Sequence, residues 1–129
     1  MRKAAGCFIT NESGDVLIFI RSDPQSLGAG LPCGGVDGDE SFEDAAIREV
    51  LEETGYNIIL DDIPPFEDIE EGDNFHVMIF SASITGKISA THAHEGAPVW
   101  ANSNLLLSGP YASFNKKMIE HFKKYITFN

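Results

Sequence analysis

The residues whose types and spacing could do chemistry stand together in GGVDGDESFEDAAIREVLEETGY, Gly34 to Tyr56, where Glu49, Glu52 and Glu53 fall within five residues of one another. Like charges three or four residues apart on a helix each cost about 0.2–0.5 kcal/mol, so a chain that keeps them needs a compensation. A solvated acidic helix face is the plain reading of such a run. Two features favour another. A solvated face usually mixes signs, and this one follows a Gly-rich turn that can bring backbone carbonyls close to it. Hard divalent cations such as Mg²⁺ take oxygen ligands and bind through a few carboxylates together with the phosphates of a substrate. The cluster has the composition of a metal site that would carry a phosphorylated ligand.

The elements that must position these side chains follow from pattern. From Ser41 the periodicity is helical: Ser41 can cap, Asp44 completes an S-x-x-D box and Gly55 ends the run. At about 100° per residue, Ile47, Val50, Leu51 and Thr54 fall on one side and the three glutamates on the other, so the carboxylates are expected to face outward together while the apolar side packs on a sheet. Upstream, AAGCFIT and VLIFIRS are apolar, β-branched and aromatic runs joined by NESGD, which read as a β-hairpin; DPQSLGAG is a loop leading to LPCGG. Downstream, YNIIL and the longer FHVMIFSASI read as strands, and KISATHAHEGAPVWAN as a further strand and a loop. NSNLLL reads as a short helix, and SFNKKMIEHFKKY as an amphipathic helix with Phe114, Met118, Ile119 and Phe122 on its apolar side. Strands mixed with two real helices imply an α/β layered domain, and 129 residues are enough for one such domain over 1–129 but not for two.

Composition narrows the partners. Twenty acidic residues against nine basic ones give a formal charge of −11, which opposes long-range attraction to nucleic acid duplexes or anionic membranes. A polyanionic ligand would then need metal ions between itself and the protein. The two cysteines, Cys7 and Cys33, have no metal-ligand spacing and sit in apolar stretches, so they are expected to be reduced and packed, which suits a cytoplasmic location. No stretch approaches the length of a membrane span, and the basic start MRKAAGCFIT runs too soon into Asn11 and Glu12 for a signal peptide.

The acidic stretch resembles the Nudix box, G-x5-E-x7-R-E-U-x-E-E-x-G-U, through Gly34, Glu40, Arg48, Glu49, Val50, Glu52, Glu53, Gly55 and Tyr56. Only Tyr56 departs, being aromatic where the pattern prefers an aliphatic residue. The resemblance implies a Nudix fold, a mixed β-sheet sandwiched between α-helices, and Mg²⁺-dependent hydrolysis (Mn²⁺ substituting) of a nucleoside diphosphate linked to some group X. It implies that Glu52 and Glu53 hold metal, that Glu49 holds metal and orients or deprotonates the attacking water, and that the Gly34 carbonyl completes the coordination. Arg48 belongs with these catalytic residues through the carboxylates it fixes, and its ion pair with Glu40 would brace loop against helix. Gly55 closes the box structurally.

Outside the box, EGAPVW resembles the segment of MutT-like members that carries a further metal-binding glutamate, here Glu95. His92 and His94 beside it lack a third ligand for zinc. Arg21, at the end of the second apolar run, is a candidate for phosphate or base, with a solvated charge the alternative. Asn115, opening the last helix, resembles a base-reading asparagine, with helix capping the alternative. A short chain with this segment resembles MutT-type nucleoside triphosphate pyrophosphohydrolases, which release a nucleoside monophosphate and pyrophosphate. A nucleotide-sugar, ADP-ribose or RNA 5′-end pyrophosphohydrolase is the enzymatic alternative, and a non-catalytic nucleotide-binding module the alternative of another class.

Overall fold

The structure is a computed structural model that describes residues 1–22, 29–87 and 95–129. In chain order its elements are β1 (Arg2–Phe8), β2 (Val16–Arg21), β3 (Ala29–Gly30), β4 (Cys33–Gly35), α1 (Phe42–Thr54), β5 (Tyr56–Leu60), β6 (Phe66–Glu70), β7 (Phe75–Lys87), β8 (Gly96–Ala101), a 3-10 helix (Ser103–Leu107) and α2 (Ala112–Phe122). Five strands form one sheet in the order β4-β1-β7-β5, with β6 also paired to β7. The β1–β7 pair is parallel and the other pairs are antiparallel, so the sheet is mixed. A second, antiparallel sheet has the order β3-β2-β8.

Side chains alternate across a strand, and β1 shows what that does here. Ala4 and Phe8 join Val77, Ile79, Met118, Ile119 and Phe122 in one core, on the α2 side. Ala5, Cys7 and Ile9 join Ala45, Ala46, Val50, Phe80 and Ala82 in another, on the α1 side. The mixed sheet therefore lies between the two helices, as expected. Phe8 stacks on Phe122 with ring centroids 4.7 Å apart, and burying such a ring contributes about 1.5–3 kcal/mol. The two cysteines are free and belong to opposite faces, Cys7 in the α1-side core and Cys33 against the α2-side core.

Two expectations are corrected. β1 and β2 are not one hairpin ladder: they lie in different sheets, joined at their ends by the bridge Thr10↔Val16 and by bonds from the Leu17 amide to the Ile9 carbonyl, 2.9 Å, and from the Asn11 amide to the Asp15 carbonyl, 3.0 Å. A strand buried on both faces is apolar whichever neighbours it has, so its composition could not name its partners. The turn residues do make a turn, with Asn11 Oδ1 accepting from the Ser13 and Asp15 amides at 3.0 Å each. The second correction concerns α1. Its ends are where the sequence puts them: Ser41 Oγ accepts from the Asp44 amide at 3.0 Å, and Gly55 closes the helix at φ 79°. Its buried stripe, however, runs through Ala45, Ala46, Val50, Glu53 and Thr54, while Ile47 and Leu51 are half-buried. Two alanines let the backbone approach the sheet on their side, which turns the helix so that Glu53 points inward.

β3, β4 and β6 have no counterpart in the sequence reading, which made a loop of the end of DPQSLGAG where β3 lies; β3 and β4 are only two and three residues long, and β6, FEDIE, is mostly charged. Among the described residues no helix is long and apolar enough to cross a membrane. His92 and His94 lie outside the described residues.

Candidate active site

Arg48 organises the acidic end of α1. Its Nε and Nη2 donate to the two Glu40 oxygens at 2.9 and 3.0 Å, and Nη2 also reaches the Gly35 carbonyl at 2.8 Å. Its Nη1 donates to Glu49 Oε1 at 2.9 Å and to Glu52 Oε2 at 3.2 Å. One guanidinium thus ties loop to helix and offsets the repulsion between Glu49 and Glu52. The bond from Arg48, with one from the Asp37 amide, holds the Glu40 carboxyl below its ordinary value, and the glutamates raise the pKa of Arg48 in return. Glu40 and Arg48 form the expected brace.

Gly34 lies directly under Glu49. A Cβ built on it would overlap the Glu49 carboxylate, so the glycine is required by a close approach. Glu49 and Glu52 are, respectively, 13 % and 25 % exposed at the side chain. These oxygen donors suit a hard divalent cation and not a thiophilic one. Among the described residues no three His, Cys, Asp or Glu side chains are gathered so that they could hold a metal ion by themselves; Mg²⁺ keeps waters and substrate phosphates among its ligands and is held by one or two carboxylates.

Glu53 departs from the outward arrangement expected for it. Its side chain is 2 % exposed and meets Arg21 Nη2 at 3.1 Å. The Cys33 amide donates to Glu53 Oε1 at 2.9 Å, and Arg21 Nη2 donates to the Cys33 carbonyl at 3.1 Å. Burial pushes the Glu53 carboxyl up to about 7, and the Arg21 charge and the Cys33 N–H only partly offset it. Burial likewise pushes the Cys33 thiol up to about 12, with the Glu53 charge adding to the shift. Arg21 is therefore not a solvated strand end. Strand β2 brings it from the second sheet to the carboxylate of α1, and the Cys33 backbone, which sequence reasoning passed over, joins the two; backbone bonds leave no mark on residue type.

From this triad a cavity of about 550 Å³ runs between β7 and α2, lined by Arg21 and Cys33, by Leu31, Val77 and Ile79, and by Asn115. It unites both candidate substrate residues, Arg21 and Asn115. Asn115 is 3 % exposed, and its Nδ2 donates to the Leu106 carbonyl at 3.0 Å. It does not cap α2: Tyr111 stands at the N-cap without a side-chain bond, and Asn115 lies inside the first turns. Phe75 and Phe114 also line the cavity; the alternation Phe75, Val77, Ile79 on one face of β7 is the signal that could have located its wall. Glu95 directly precedes Gly96, which pairs with Arg21, and its carbonyl accepts from the Ser22 amide at 3.0 Å. That places the Glu95 backbone at the Arg21 end of β2.

The NUDIX domain model matches residues 1–122. A Bacillus subtilis (strain 168) protein named as an 8-oxo-dGTP diphosphatase is 41 % identical over 85 residues, 65 % of this chain and 54 % of that protein. An Erythrobacter litoralis protein named RNA pyrophosphohydrolase is 41 % identical over 63 residues, 48 % of this chain and 38 % of its own length. The matches thus span about half or less of these curated relatives. Among solved structures, the MutT protein of Methanosarcina mazei Go1 superposes with a TM-score of 0.74 at 22 % identity, covering 98 % of this chain and 96 % of that one; at that identity the likeness is one of fold.

Proposed function

The chain belongs to the NUDIX family, and from that premise we propose that it is a Mg²⁺-dependent pyrophosphohydrolase of the MutT type, cleaving a nucleoside triphosphate to a nucleoside monophosphate and pyrophosphate. The observation that carries this reading is the cavity that unites Arg21 and Asn115 and reaches the acidic helix through the Arg21–Glu53 contact. Its apolar floor and buried amide suit a nucleobase, and its Arg21 end suits the first phosphates.

Members of the family generally use divalent metal ions. Held by Glu49, Glu52 and Glu53 with the Gly34 carbonyl and Glu95, Mg²⁺, or Mn²⁺ in its place, would neutralise charge on the phosphate oxygens and lower the pKa of a bound water. The chain's own residues do the rest. Arg48 fixes the rotamers of Glu49 and Glu52, so both carboxylates are oriented before substrate arrives. Glu49, lying against the Gly34 backbone, orients and deprotonates the attacking water. Asn115 Oδ1 is the acceptor offered to a base edge.

The test is turnover of a panel in Mg²⁺: nucleoside triphosphates, oxidised ones included, ADP-ribose, nucleotide sugars, dinucleoside polyphosphates and a 5′-triphosphorylated RNA, with products identified by mass. Nucleoside monophosphate and pyrophosphate are expected from a triphosphate. Glu49→Gln should lower kcat by at least about 10²-fold, and Glu43→Gln, on the same helix outside the cluster, should leave it within about twofold. No turnover of any compound would replace the enzyme with a nucleotide-binding module, and preferred turnover of the RNA would select the RNA 5′-end reading.

A further inference from the structure

One wall of the cavity is β6, whose inward face begins with Phe66, packed on the α2-side core, and then turns acidic. In register with β7, Asp68 stands opposite Val77 and Glu70 opposite Phe75. Paired residues share a face, so β6 turns these two carboxylates toward the cavity and Ile69 away from it, 47 % exposed. Asp73, from the turn before β7, also lines the cavity. None of the three side chains has an ion-pair or hydrogen-bond partner among the described residues. Against them the lining offers Lys117, since Arg21 is already held by Glu53 and the Cys33 carbonyl. Asn115 lines the same cavity at 3 % exposure, with its Nδ2 donating to the Leu106 carbonyl; no fully buried side-chain N or O lacks a partner among the described residues, so its Oδ1, which has no donor there, is within reach of solvent.

We infer that Asp68, Glu70 and Asp73 are specificity-determining residues, which restrict the cavity to nucleotides phosphorylated at the 5′ end alone and turn away substrates that carry a further phosphate beyond the nucleoside. The inference rests on the nucleotide reading of the cavity proposed above. With its 5′-phosphates at the Arg21 end, a nucleoside would fill the cavity, and a phosphodiester continuing from it must pass three carboxylates. A pair of like charges a few ångströms apart at a protein surface changes binding by about tenfold or more, and dissolved salt screens the effect. Among the described residues β6 has a neighbour on one side only, so inward charges could instead serve to block edge-to-edge pairing. The two roles separate by experiment.

The kcat/KM of the fastest nucleoside triphosphate is compared with that of a 5′-triphosphorylated dinucleotide bearing the same first nucleoside, at low and high KCl. The variants are Asp68→Asn/Glu70→Gln and, at two exposed positions, Glu70→Gln/Asp73→Asn. The parent should prefer the triphosphate by at least about tenfold at low salt and less at high salt; the variants should reduce the low-salt preference by about tenfold and flatten its salt dependence. An unchanged preference in both variants overturns the inference and leaves the enzyme reading standing, and self-association of the variants in sedimentation would then assign the carboxylates to edge protection. Should the parent hydrolyse neither compound, the triphosphate reading fails, and calorimetry with GMP and guanosine 3′,5′-bisphosphate decides: tighter GMP binding that the variants abolish supports the inference, while equal affinities, or binding of neither, overturn it.

Discussion

Glu53 is a carboxyl kept out of water beside one half-exposed arginine, and the cost of that placement can be read in pH. Its folded pKa stands at about 7 against an ordinary value of 4.5, with burial the leading cause. For an acid raised in this way the folded protein holds the proton longer than the unfolded chain, so stability falls as pH rises from about 4.5 to about 7 and levels off above. Glu40 has the opposite sign: held low by Arg48, it stabilises at neutral pH and loses its contribution as pH falls through its folded value. Glu53→Gln removes the first dependence and leaves the second. In EDTA, the Tm of Glu53→Gln relative to the parent should therefore climb by several degrees between pH 5 and pH 8; a constant difference would mean that Glu53 is ionised throughout. At this scale the sequence was partly legible. The Glu40–Arg48 brace followed from box spacing, whereas the burial of Glu53 depended on how far two alanines let α1 turn toward the sheet, which a wheel of residue types does not contain.

Among elements, the contact between β4 and α1 decides whether the carboxylates are held correctly, and Gly34 is its narrowest point. Gly34→Ala adds a methyl where the Glu49 carboxylate lies. The obstacle is the far end of a flexible side chain and the backbone there has no positive φ, so the protein should fold with its Tm nearly unchanged while Glu49 is displaced and kcat falls at least about tenfold. Gly35→Ala is the control, because its nearest neighbour is the Lys3 carbonyl at 4.0 Å. Equal activity of the two variants would release Glu49 from any dependence on that approach. The helices and the long β7 were legible because caps and apolar periodicity are local. Strand partners were not, since β1 and β2 are apolar on both faces and nothing in such a run says which neighbours cover it; β6 was missed because, of the inward residues Phe66, Asp68 and Glu70, two are acids.

For the whole molecule, a charge of −11 with carboxylates gathered on one helix means that the proposed cation, if held there, would be linked to the fold. Mg²⁺ at about 100 times its Kd should add about 2.7 kcal/mol to stability, which is several degrees of Tm in a chain of this length. Glu52→Gln should gain distinctly less, and thermal melts of both proteins in EDTA and in Mg²⁺ measure the difference. Equal gains would make Glu52 a partner of Arg48 and nothing more. The same molecule has a history in time as well as a structure. The centre of its main sheet is the parallel pair that sets Arg2 opposite Phe75 and Phe8 opposite Ser81, so the first strand leaves the ribosome long before its partner exists. Until then β1 has β4 as its strand neighbour and α1 over one face, while Ala4 and Phe8 on the other face wait for β7 and α2. Contacts so distant along the chain slow folding and lengthen the exposure of sticky intermediates, which makes the nascent β1, rather than the finished surface, the segment most in need of a chaperone.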